Sequence, residues 1–341
     1  MLEAATLLET KPGVLPWFAA GRYPLYLAPM AGYTDGPFRR LCKEQGADVL
    51  VTEFAHAESL LRGHEAVWRD LQFSESDRPL GVQIFGGDPA AMAAAARLVV
   101  ARLRPDFMDI NFGCPADRVT CRHAGSSLLR DLPLLEKIAR AVADAVPETP
   151  VTAKIRLGWD GQSIVALEAA RRLEDAGMRA IAVHGRTKEQ GYSGGAAWDV
   201  IAAVAEAVTL PVVGNGSVDT PETVLRLRRE TKVAGLMIGR AALGYPWIFR
   251  ELKAALAGGP PAPAPTLAER WRAIFRYLDE RLAVEGKEAD SRDLGGMRAA
   301  LKSLAKGMPD GAALRGALER VANRAALEVI AAEHQQKWAT A

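Results

Sequence analysis

Three side chains that could do chemistry stand in or just behind short apolar runs of the sequence. Lys154 lies inside the run 151–155, where a buried amine needs a partner or an altered pKa. Cys114 follows the run 107–111, and a thiol on such a loop can act as a proton donor or as a nucleophile. His184 ends the run 180–184, where it could bind a ligand or cap the strand. Each residue also has a structural explanation, so its role depends on what surrounds it.

Three roles are open for Lys154. The amine could stabilise negative charge on a bound ring, form a Schiff base as in aldolases, or pair with a carboxylate such as Glu53. A metal site is not expected, because the sequence has no His-Glu-x-x-His motif and no Cys/His cluster with metal-ligand spacing. Cys42 is expected to be a buried structural cysteine, and no role is assigned to Cys121.

Polar residues close most of the apolar runs. The first run ends in the apolar Pro29-Met30, and the others end in Glu53, Gln83, Asn111, Lys154 with Arg156, His184, Asn215, and Arg240 after Gly239. In a parallel barrel the carboxyl ends of all strands meet at one mouth, where active sites lie. We therefore expect these residues to form one ring of convergent polar groups.

The last two runs end in glycine-containing turns, Gly214-Asn215-Gly216-Ser217 and Gly239-Arg240-Ala241. Glycine lets backbone N–H groups approach an anion closely, and Arg240 can add a charge-assisted hydrogen bond. Loops after the seventh and eighth strands form the recurrent phosphate site of barrels. The pattern indicates a phosphorylated ligand, with two ordinary tight turns as the alternative.

The apolar runs themselves are short and nearly continuous, which is typical of parallel strands buried on both faces. They cover residues 25–29, 49–53, 80–85, 107–111, 151–155, 180–184, 211–215 and 234–238. Segments with helical periodicity lie between them, at 90–104, 134–146, 164–176, 198–208 and 221–230. The repeated strand–helix unit predicts an α/β fold, a (β/α)8 TIM barrel, with an open doubly wound sheet as the alternative.

A proline-rich segment, 258–266, follows the eighth unit and predicts a stiff linker between domains. We predict a catalytic barrel over 1–257 and a small all-helical C-terminal domain over 267–341, with helices at 267–284, 297–307 and 312–338. Between 296 and 324 the chain has six basic and two acidic side chains. This excess could contact phosphates or belong to a solvated helix face.

Composition is that of an ordinary globular protein. The 341 residues are 49% hydrophobic and 25% charged, and the net charge of +2 does not by itself suggest a nucleic-acid partner. Three cysteines argue against a disulfide framework and fit a reducing cytoplasm. The first residues lack a signal-peptide pattern and no apolar stretch is long enough for a bilayer, so a cytoplasmic location without a membrane partner is expected.

Five segments resemble the bacterial tRNA-dihydrouridine synthase family, in order and in spacing. They are LAPMAGYTD (27–35), DINFGCP (109–115), KIR (154–156), HGRT (184–187) and IGRA (238–241). The chain is most similar to the B-type branch of that family, through AGS (124–126), GW (158–159) and PWIFR (246–250). Two departures are Ser217, where an Asp is common, and a less basic loop at 117–123.

The resemblance implies an oxidoreductase with FMN as cofactor and NADPH as reductant. It implies that the flavin is lined by the backbone of Pro29, Met30 and Ala31. Its ring or ribityl chain would be bound by Gln83, Lys154 and His184, and its phosphate by Asn215, Gly216, Ser217, Gly239 and Arg240. Cys114 would be the general acid, and Asn111 and Arg156 would contact or orient the uracil.

The implied reaction is reduction of the C5=C6 bond of specific uridines in tRNA, after the nucleotide has left its stack. The C-terminal helices would bind the tRNA, and we expect a monomer that does not bind DNA. One alternative is an FMN-dependent reductase of a free pyrimidine, similar to dihydroorotate dehydrogenase. The others are a Schiff-base aldolase that uses Lys154 and a catalytically silent tRNA-binding or chaperone protein that has kept the barrel.

Overall fold

The computed structural model describes residues 15–288, 291, 294 and 296–338. Its strands are β1 (Leu25–Leu27), β2 (Leu50–Val51), β3 (Ala55–His56), β4 (Leu80–Phe85), β5 (Phe107–Phe112), β6 (Val151–Arg156), β7 (Ala180–His184), β8 (Val212–Asn215) and β9 (Gly235–Ile238). They form one sheet in the order β1-β9-β8-β7-β6-β5-β4-β2, with β3 also paired to β4. All of these pairings are parallel.

The sheet curves round until its first and last strands meet. A parallel bridge joins Tyr26 of β1 to Val49, the residue before β2. The N–H of Leu27 donates to the Val49 carbonyl at 3.0 Å across the same seam. The predicted (β/α)8 barrel is therefore confirmed, and the open doubly wound sheet is wrong.

Helices surround the barrel and continue beyond it. They are α1 (Gly36–Glu44), α2 (Ala57–Leu61), α3 (Glu65–Asp70), α4 (Pro89–Leu103), α5 (Asp117–Thr120), α6 (Leu132–Ala145), α7 (Ala166–Asp175), α8 (Trp198–Ala207), α9 (Pro221–Glu230), α10 (Arg240–Leu243), α11 (Ile248–Leu256), α12 (Leu267–Val284), α13 (Met297–Leu304), α14 (Gly311–Glu319) and α15 (Arg324–Trp338). Short 3₁₀ helices lie at Pro16–Phe18, Glu75–Asp77 and Gly125–Arg130. Among the described helices, none is long and apolar enough to cross a bilayer.

The sequence explains these elements locally. Every residue of β4 and β5 is buried, as continuous apolar runs require. Gly81 in β4 leaves room for the Phe107 ring of β5, since a Cβ there would lie 2.2 Å from Phe107 Cε2. Asp88 caps α4 by accepting the Ala91 N–H at 2.7 Å. A separate apolar cluster, which includes Trp17, Tyr26 and Phe107, packs against the same strands.

The second predicted strand is wrong as a single run. Residues 49–53 were expected to be one strand, but the structure has β2 and, after a break, β3. At the break the Gln83 N–H donates to the Thr52 hydroxyl at 3.1 Å instead of to a backbone carbonyl. A side chain therefore replaces one rung of the ladder. The other seven strands agree with their predicted ends to within two residues.

The third predicted C-terminal helix is also wrong as a single unit. Residues 312–338 divide into α14 and α15, because Asn323 starts a new helix by accepting the Ala326 N–H on its side-chain oxygen at 3.0 Å. The second C-terminal helix ends at Leu304, earlier than the predicted 307. The first, α12, has the predicted bounds.

The C-terminal helices pack directly on the barrel. The Tyr277 hydroxyl of α12 donates to Asp35 at 2.9 Å, and Arg40 of α1 pairs with Glu280 at 2.6 Å. Trp271, Leu278 and other buried side chains of these helices belong to the same apolar core as the barrel helices. The division into domains at 258–266 stays a prediction.

Candidate active site

A cavity of about 1020 Å³ opens at the carboxyl ends of the strands. The residues predicted for the site that line it are Pro29, Met30, Ala31, Asn111, Cys114, Lys154, Arg156, His184, Asn215, Gly216, Ser217, Gly239 and Arg240. Gln83 lies one layer below them and is fully buried. The fold therefore gathers residues from strands far apart in sequence into one place, while the role of each stays a prediction.

The floor of the cavity is a chain of buried hydrogen bonds through Thr152, Asp109, Gln83 and Asn111, called here the floor network. The Thr152 hydroxyl and the Gln83 amide both donate to the Asp109 carboxylate, the amide at 2.6 Å. The Asn111 amide donates to Gln83 Oε1 at 2.8 Å, and its oxygen accepts the Cys114 N–H at 2.8 Å. The floor network therefore fixes the backbone that carries Cys114.

A second support for Cys114 comes from residues 124–126. The N–H and the hydroxyl of Ser126 donate to the Cys114 carbonyl at 3.1 and 2.9 Å. Gly125 has a φ of +61°, and a Cβ there would lie 2.9 Å from the same carbonyl. Only glycine combines that backbone conformation with so close an approach. The AGS motif thus has a physical reason, which is to hold the cysteine loop.

The Cys114 thiol faces the cavity in a half-buried setting. Burial raises the pKa of Cys114 above its ordinary value, against the opposing influence of the Ala116 N–H and of Arg118. A raised pKa keeps the proton on sulfur at neutral pH. This state suits a proton donor and is unsuited to a thiolate nucleophile.

Lys154 presents its amine to the same cavity. Burial lowers the pKa of Lys154 to about 8, with Arg156 adding to the effect and Asp109 opposing it. The carboxylate of Glu53 accepts the Gly32 N–H at 2.8 Å, and neither Glu53 nor Lys154 influences the pKa of the other, so the structure does not show them as a pair. Within the described chain Lys154 forms no ion pair, which makes an anionic ligand its natural partner.

His184 is neutral in this setting. Burial lowers the pKa of His184 to about 2, and the cationic Lys154, Arg156 and Arg186 act in the same direction. Arg186 Nη1 lies 3.3 Å from His184 Nε2, and because a guanidinium can only donate, Nε2 accepts. The ring proton is then on Nδ1, which leaves His184 as a neutral hydrogen-bond donor rather than a cation.

Arg156 ties two loops together below the mouth. Its Nε donates to the Gly113 carbonyl at 2.9 Å, and its Nη1 donates to the carbonyls of Thr187 and Gly191 at 2.8 and 2.9 Å. The residue is only 3% exposed, yet its side chain lines the cavity. Arg156 therefore joins the cysteine loop to the loop after β7, whatever it contacts in a substrate.

The predicted phosphate site lies where β8 and β9 end. Gly216 and Ser217 have φ values of +126° and +53°, which turns the chain sharply after β8. The Asn215 amide donates to the Met237 carbonyl at 2.7 Å and so holds the two strands side by side. Arg240 begins α10 at the neighbouring edge of the cavity. The geometry is compatible with an anion held between two turns and a guanidinium.

The adjoining wall comes from the loop after β1, Pro29 to Ala31, because β1 pairs with β9. The Met30 N–H donates to the Thr34 hydroxyl at 2.8 Å, and the Met30 carbonyl accepts the N–H groups of Tyr33 and Thr34 at 3.0 and 3.1 Å. These contacts make a compact turn. The loop therefore offers a fixed backbone surface to a ligand.

Three residues of the cavity wall were missed by sequence reasoning. Arg186 donates to the Gly194 carbonyl at 2.7 Å and to the Ser217 hydroxyl at 2.9 Å, which ties the loop after β7 to the turn after β8. Tyr192 stands at the mouth with Arg156 and Arg240 over its ring, at 5.6 and 4.8 Å. Lys306 reaches the wall from the C-terminal helices. Arg186 had a sequence signal as part of HGRT, and Lys306 had one as part of the basic excess at 296–324, whereas Tyr192 had none.

Comparison with known proteins shows which family the chain belongs to. Residues 26–339 match the family described as dihydrouridine synthase (Dus). The chain belongs to the dihydrouridine synthase family. A Pseudomonas aeruginosa relative named tRNA-dihydrouridine synthase B is 44% identical over 268 residues, which are 79% of this chain and 80% of that protein. A Xanthomonas axonopodis relative of the same name is 40% identical over 297 residues, 86% and 87% of the two chains.

A likeness to solved structures supports the fold alone. The crystal structure of TcOYE with pHBA has a TM-score of 0.52 and 12% identity, and the match covers 70% of this chain and 90% of that one. Family membership confirms the resemblance to the B-type branch. The chain is therefore a flavin-dependent oxidoreductase of the dihydrouridine synthase family, and the Schiff-base aldolase alternative is set aside.

Proposed function

We propose that this protein is a tRNA-dihydrouridine synthase that uses FMN and NADPH and takes Cys114 as its proton donor. The observation that carries the proposal is one cavity in which the Cys114 thiol and the Lys154 amine face the same space. Relatives that are named tRNA-dihydrouridine synthase B support it. A tRNA substrate also agrees with the cytoplasmic location expected from the cysteine content.

The cavity suits FMN in size and in the kind of groups it offers. Ser217 and Arg240, with Asn215, Gly216 and Gly239, would hold the phosphate. Lys154, without a carboxylate partner among the described residues, would balance negative charge on the ring system. His184 would donate from Nδ1, and Pro29 to Ala31 would cover one face. Gln83 would act mainly through the floor network, because its amide is bound by Asp109 and Asn111.

FMN reduced by NADPH would supply the hydride that adds to C6 of the uracil ring. Cys114 then gives its proton to C5: the S–H bond breaks, a C5–H bond forms, and the resulting thiolate recovers a proton from water. The raised pKa of the thiol keeps this donor loaded at neutral pH. The floor network holds the sulfur in place, so the thiol needs little movement to reach C5 of the uracil.

The substrate would lie beside Asn111, Arg156 and Tyr192, which line the cavity. A uridine that has left its stack would reach them from the mouth, with the rest of the tRNA outside. Asn111 and Arg156 would orient the uracil through groups that the cysteine loop does not use. The C-terminal helices beside the mouth would bind the tRNA, mostly through its shape and backbone.

Mass spectrometry of digested tRNA tests the proposal. Unmodified tRNA would be incubated with the protein, FMN and NADPH, and the nucleosides searched for uridine that has gained two hydrogens. The control is Cys121→Ala, whose side chain is exposed and has no role in the proposed reaction. Dihydrouridine made by wild type and control supports the proposal. Reduction of free pyrimidines with no change in tRNA would show the alternative, a small-molecule reductase.

A further inference from the structure

One wall of the cavity is supplied by the C-terminal helices and not by the barrel. Lys306 follows α13, and its side chain lines the cavity beside Leu243 and Tyr245. Gly244 allows this approach, because a Cβ at that position would lie 3.0 Å from the Cβ of Lys306. The residue is exposed. An amine from the helical region is thus brought to the mouth of the site.

The backbone of Lys306 is held in place by Arg270 of α12. The Arg270 guanidinium donates to the Lys306 carbonyl, to the Leu304 carbonyl at 3.2 Å and to the Gly244 carbonyl at 3.4 Å. Arg270 is 8% exposed, so these carbonyls replace water around its charge. A buried arginine bound to carbonyls of two separate segments fixes their relative position. The position of Lys306 is therefore built into the fold.

Charge around the cavity favours an anion with more than one phosphate. The lining includes six basic side chains and one acidic one, Asp219; the basic ones are Arg118, Lys154, Arg156, Arg186, Arg240 and Lys306. Within the described residues Lys306 forms no ion pair. Arg240 starts α10 at the proposed cofactor phosphate, whereas Lys306 lies at Gly244, beyond the far end of that helix. Lys306 is thus placed for a second phosphate.

We propose that Lys306 binds a backbone phosphate of the tRNA next to the uridine that enters the cavity. This inference rests on the proposed function. When a nucleotide is extruded, its base enters the pocket while its flanking phosphates stay at the mouth. A lysine on an element fixed to the barrel can bind such a phosphate whatever the sequence of the RNA. This contact would position the RNA strand over the thiol.

The test compares Lys306→Ala with Lys306→Arg and with a control, Lys337→Ala. Lys337 is an exposed lysine of the same helical region that pairs with Asp310. Three quantities are measured for each: FMN content, the dissociation constant for tRNA at several salt concentrations, and the rate of dihydrouridine formation. We expect Lys306→Ala to bind tRNA about tenfold more weakly, with KM raised and kcat little changed.

Salt dependence gives the sharper criterion. Loss of one phosphate contact lowers the slope of log affinity against log salt by about one. Lys306→Arg keeps the charge and is expected to restore both slope and affinity, while Lys337→Ala matches wild type. FMN content should be the same in all four proteins.

Each other outcome overturns the inference in a recognisable way. If Lys306→Ala loses FMN, the lysine serves the cofactor phosphate. If its affinity and salt slope equal those of Lys337→Ala, Lys306 does not bind the tRNA backbone. Either result can occur with a wild-type protein that makes dihydrouridine, so the proposed function would stand. A wild-type protein that makes no dihydrouridine would contradict both the proposed function and the inference about Lys306.

Discussion

The floor network and the cavity wall, which includes Lys154 and Cys114, both carry polar side chains, but they differ in how those side chains are hydrogen-bonded. In the floor network, Asp109 accepts from Thr152 and Gln83, and Gln83 in turn accepts from Asn111. On the wall, Lys154 and the Cys114 thiol point into open space. Both layers carry polar groups on the strands of the barrel. The difference lies in whether the protein itself supplies the partners.

The pKa values follow the same division. Burial raises the pKa of Asp109 and lowers the pKa of Lys154 to about 8, which in both cases disfavours the charged form. Two hydrogen bonds lower the pKa of Asp109 again, whereas only the charges of Asp109 and Cys114 oppose the effect of burial on the pKa of Lys154. The floor is therefore complete in the protein alone. Under the proposed function an anionic ligand would complete the wall, and this predicts which mutations affect stability and which affect function.

The largest effect is expected from Cys114→Ala, a change in the wall. Without the proton donor, dihydrouridine formation should fall at least about a hundredfold, because general acid catalysis contributes that much or more. FMN content and unfolding should be unchanged, since the floor contacts of residue 114 use its backbone. Turnover close to that of the Cys121→Ala control would show that another group donates the proton.

Lys154→Met is expected to weaken FMN binding roughly thirtyfold, which corresponds to one lost charge-assisted contact. Met keeps the length and the apolar stem but removes the amine. Equilibrium titration of the apoprotein with FMN measures the change. Lys137→Met, on the exposed side of α6, is the control. Equal affinity in the two variants would mean that Lys154 is not part of the cofactor site.

A floor change should act first on stability. Gln83→Met leaves the Asn111 amide and one Asp109 oxygen without their buried partner, so the free energy of unfolding should fall by about 1.5 kcal/mol. Urea unfolding measures the loss, with the exposed Gln162→Met as control. Turnover should fall only several-fold, through looser placement of Cys114. A variant that is as stable as wild type but has lost FMN would show that Gln83 contacts the cofactor and does not act mainly through the floor network.

The smallest effect is expected from pH. Lys154 has a lowered pKa of about 8 in the protein, so it is charged below that pH and loses its proton above it. Affinity for anionic FMN should therefore weaken as pH rises from 7 to 9, by up to about tenfold. Lys154→Arg stays charged and should abolish this dependence. An unchanged slope in Lys154→Arg would assign the titration to another group.

Part of the wall could be predicted from the sequence because many of its members lie near or just after the carboxyl end of a strand. Position near a strand end, together with side-chain type, was enough for Asn111, Lys154 and His184. The glycines after β8 and β9 carried the same kind of local signal. Eight strand–helix units made the barrel predictable for the same reason, since each unit reads as a local pattern.

The floor and the helical contribution could not be predicted in this way. Gln83 was expected to contact a cofactor, but its pairing with Asp109 depends on two strands meeting side by side. Lys306 belongs to the wall only because Arg270 and Gly244 bring two distant segments together. The break after β2 depends on a hydroxyl replacing a backbone carbonyl. These are contacts between residues far apart in the chain, and periodicity carries no information about them.

An anaerobic absorption experiment tests the central claim most directly. The purified protein, supplied with FMN, is reduced by NADPH until the flavin bands bleach, and unmodified tRNA is then added in the absence of oxygen. The account predicts that the bands return with tRNA in wild type and fail to return in Cys114→Ala. Bands that return with a free pyrimidine and stay bleached with tRNA would contradict it.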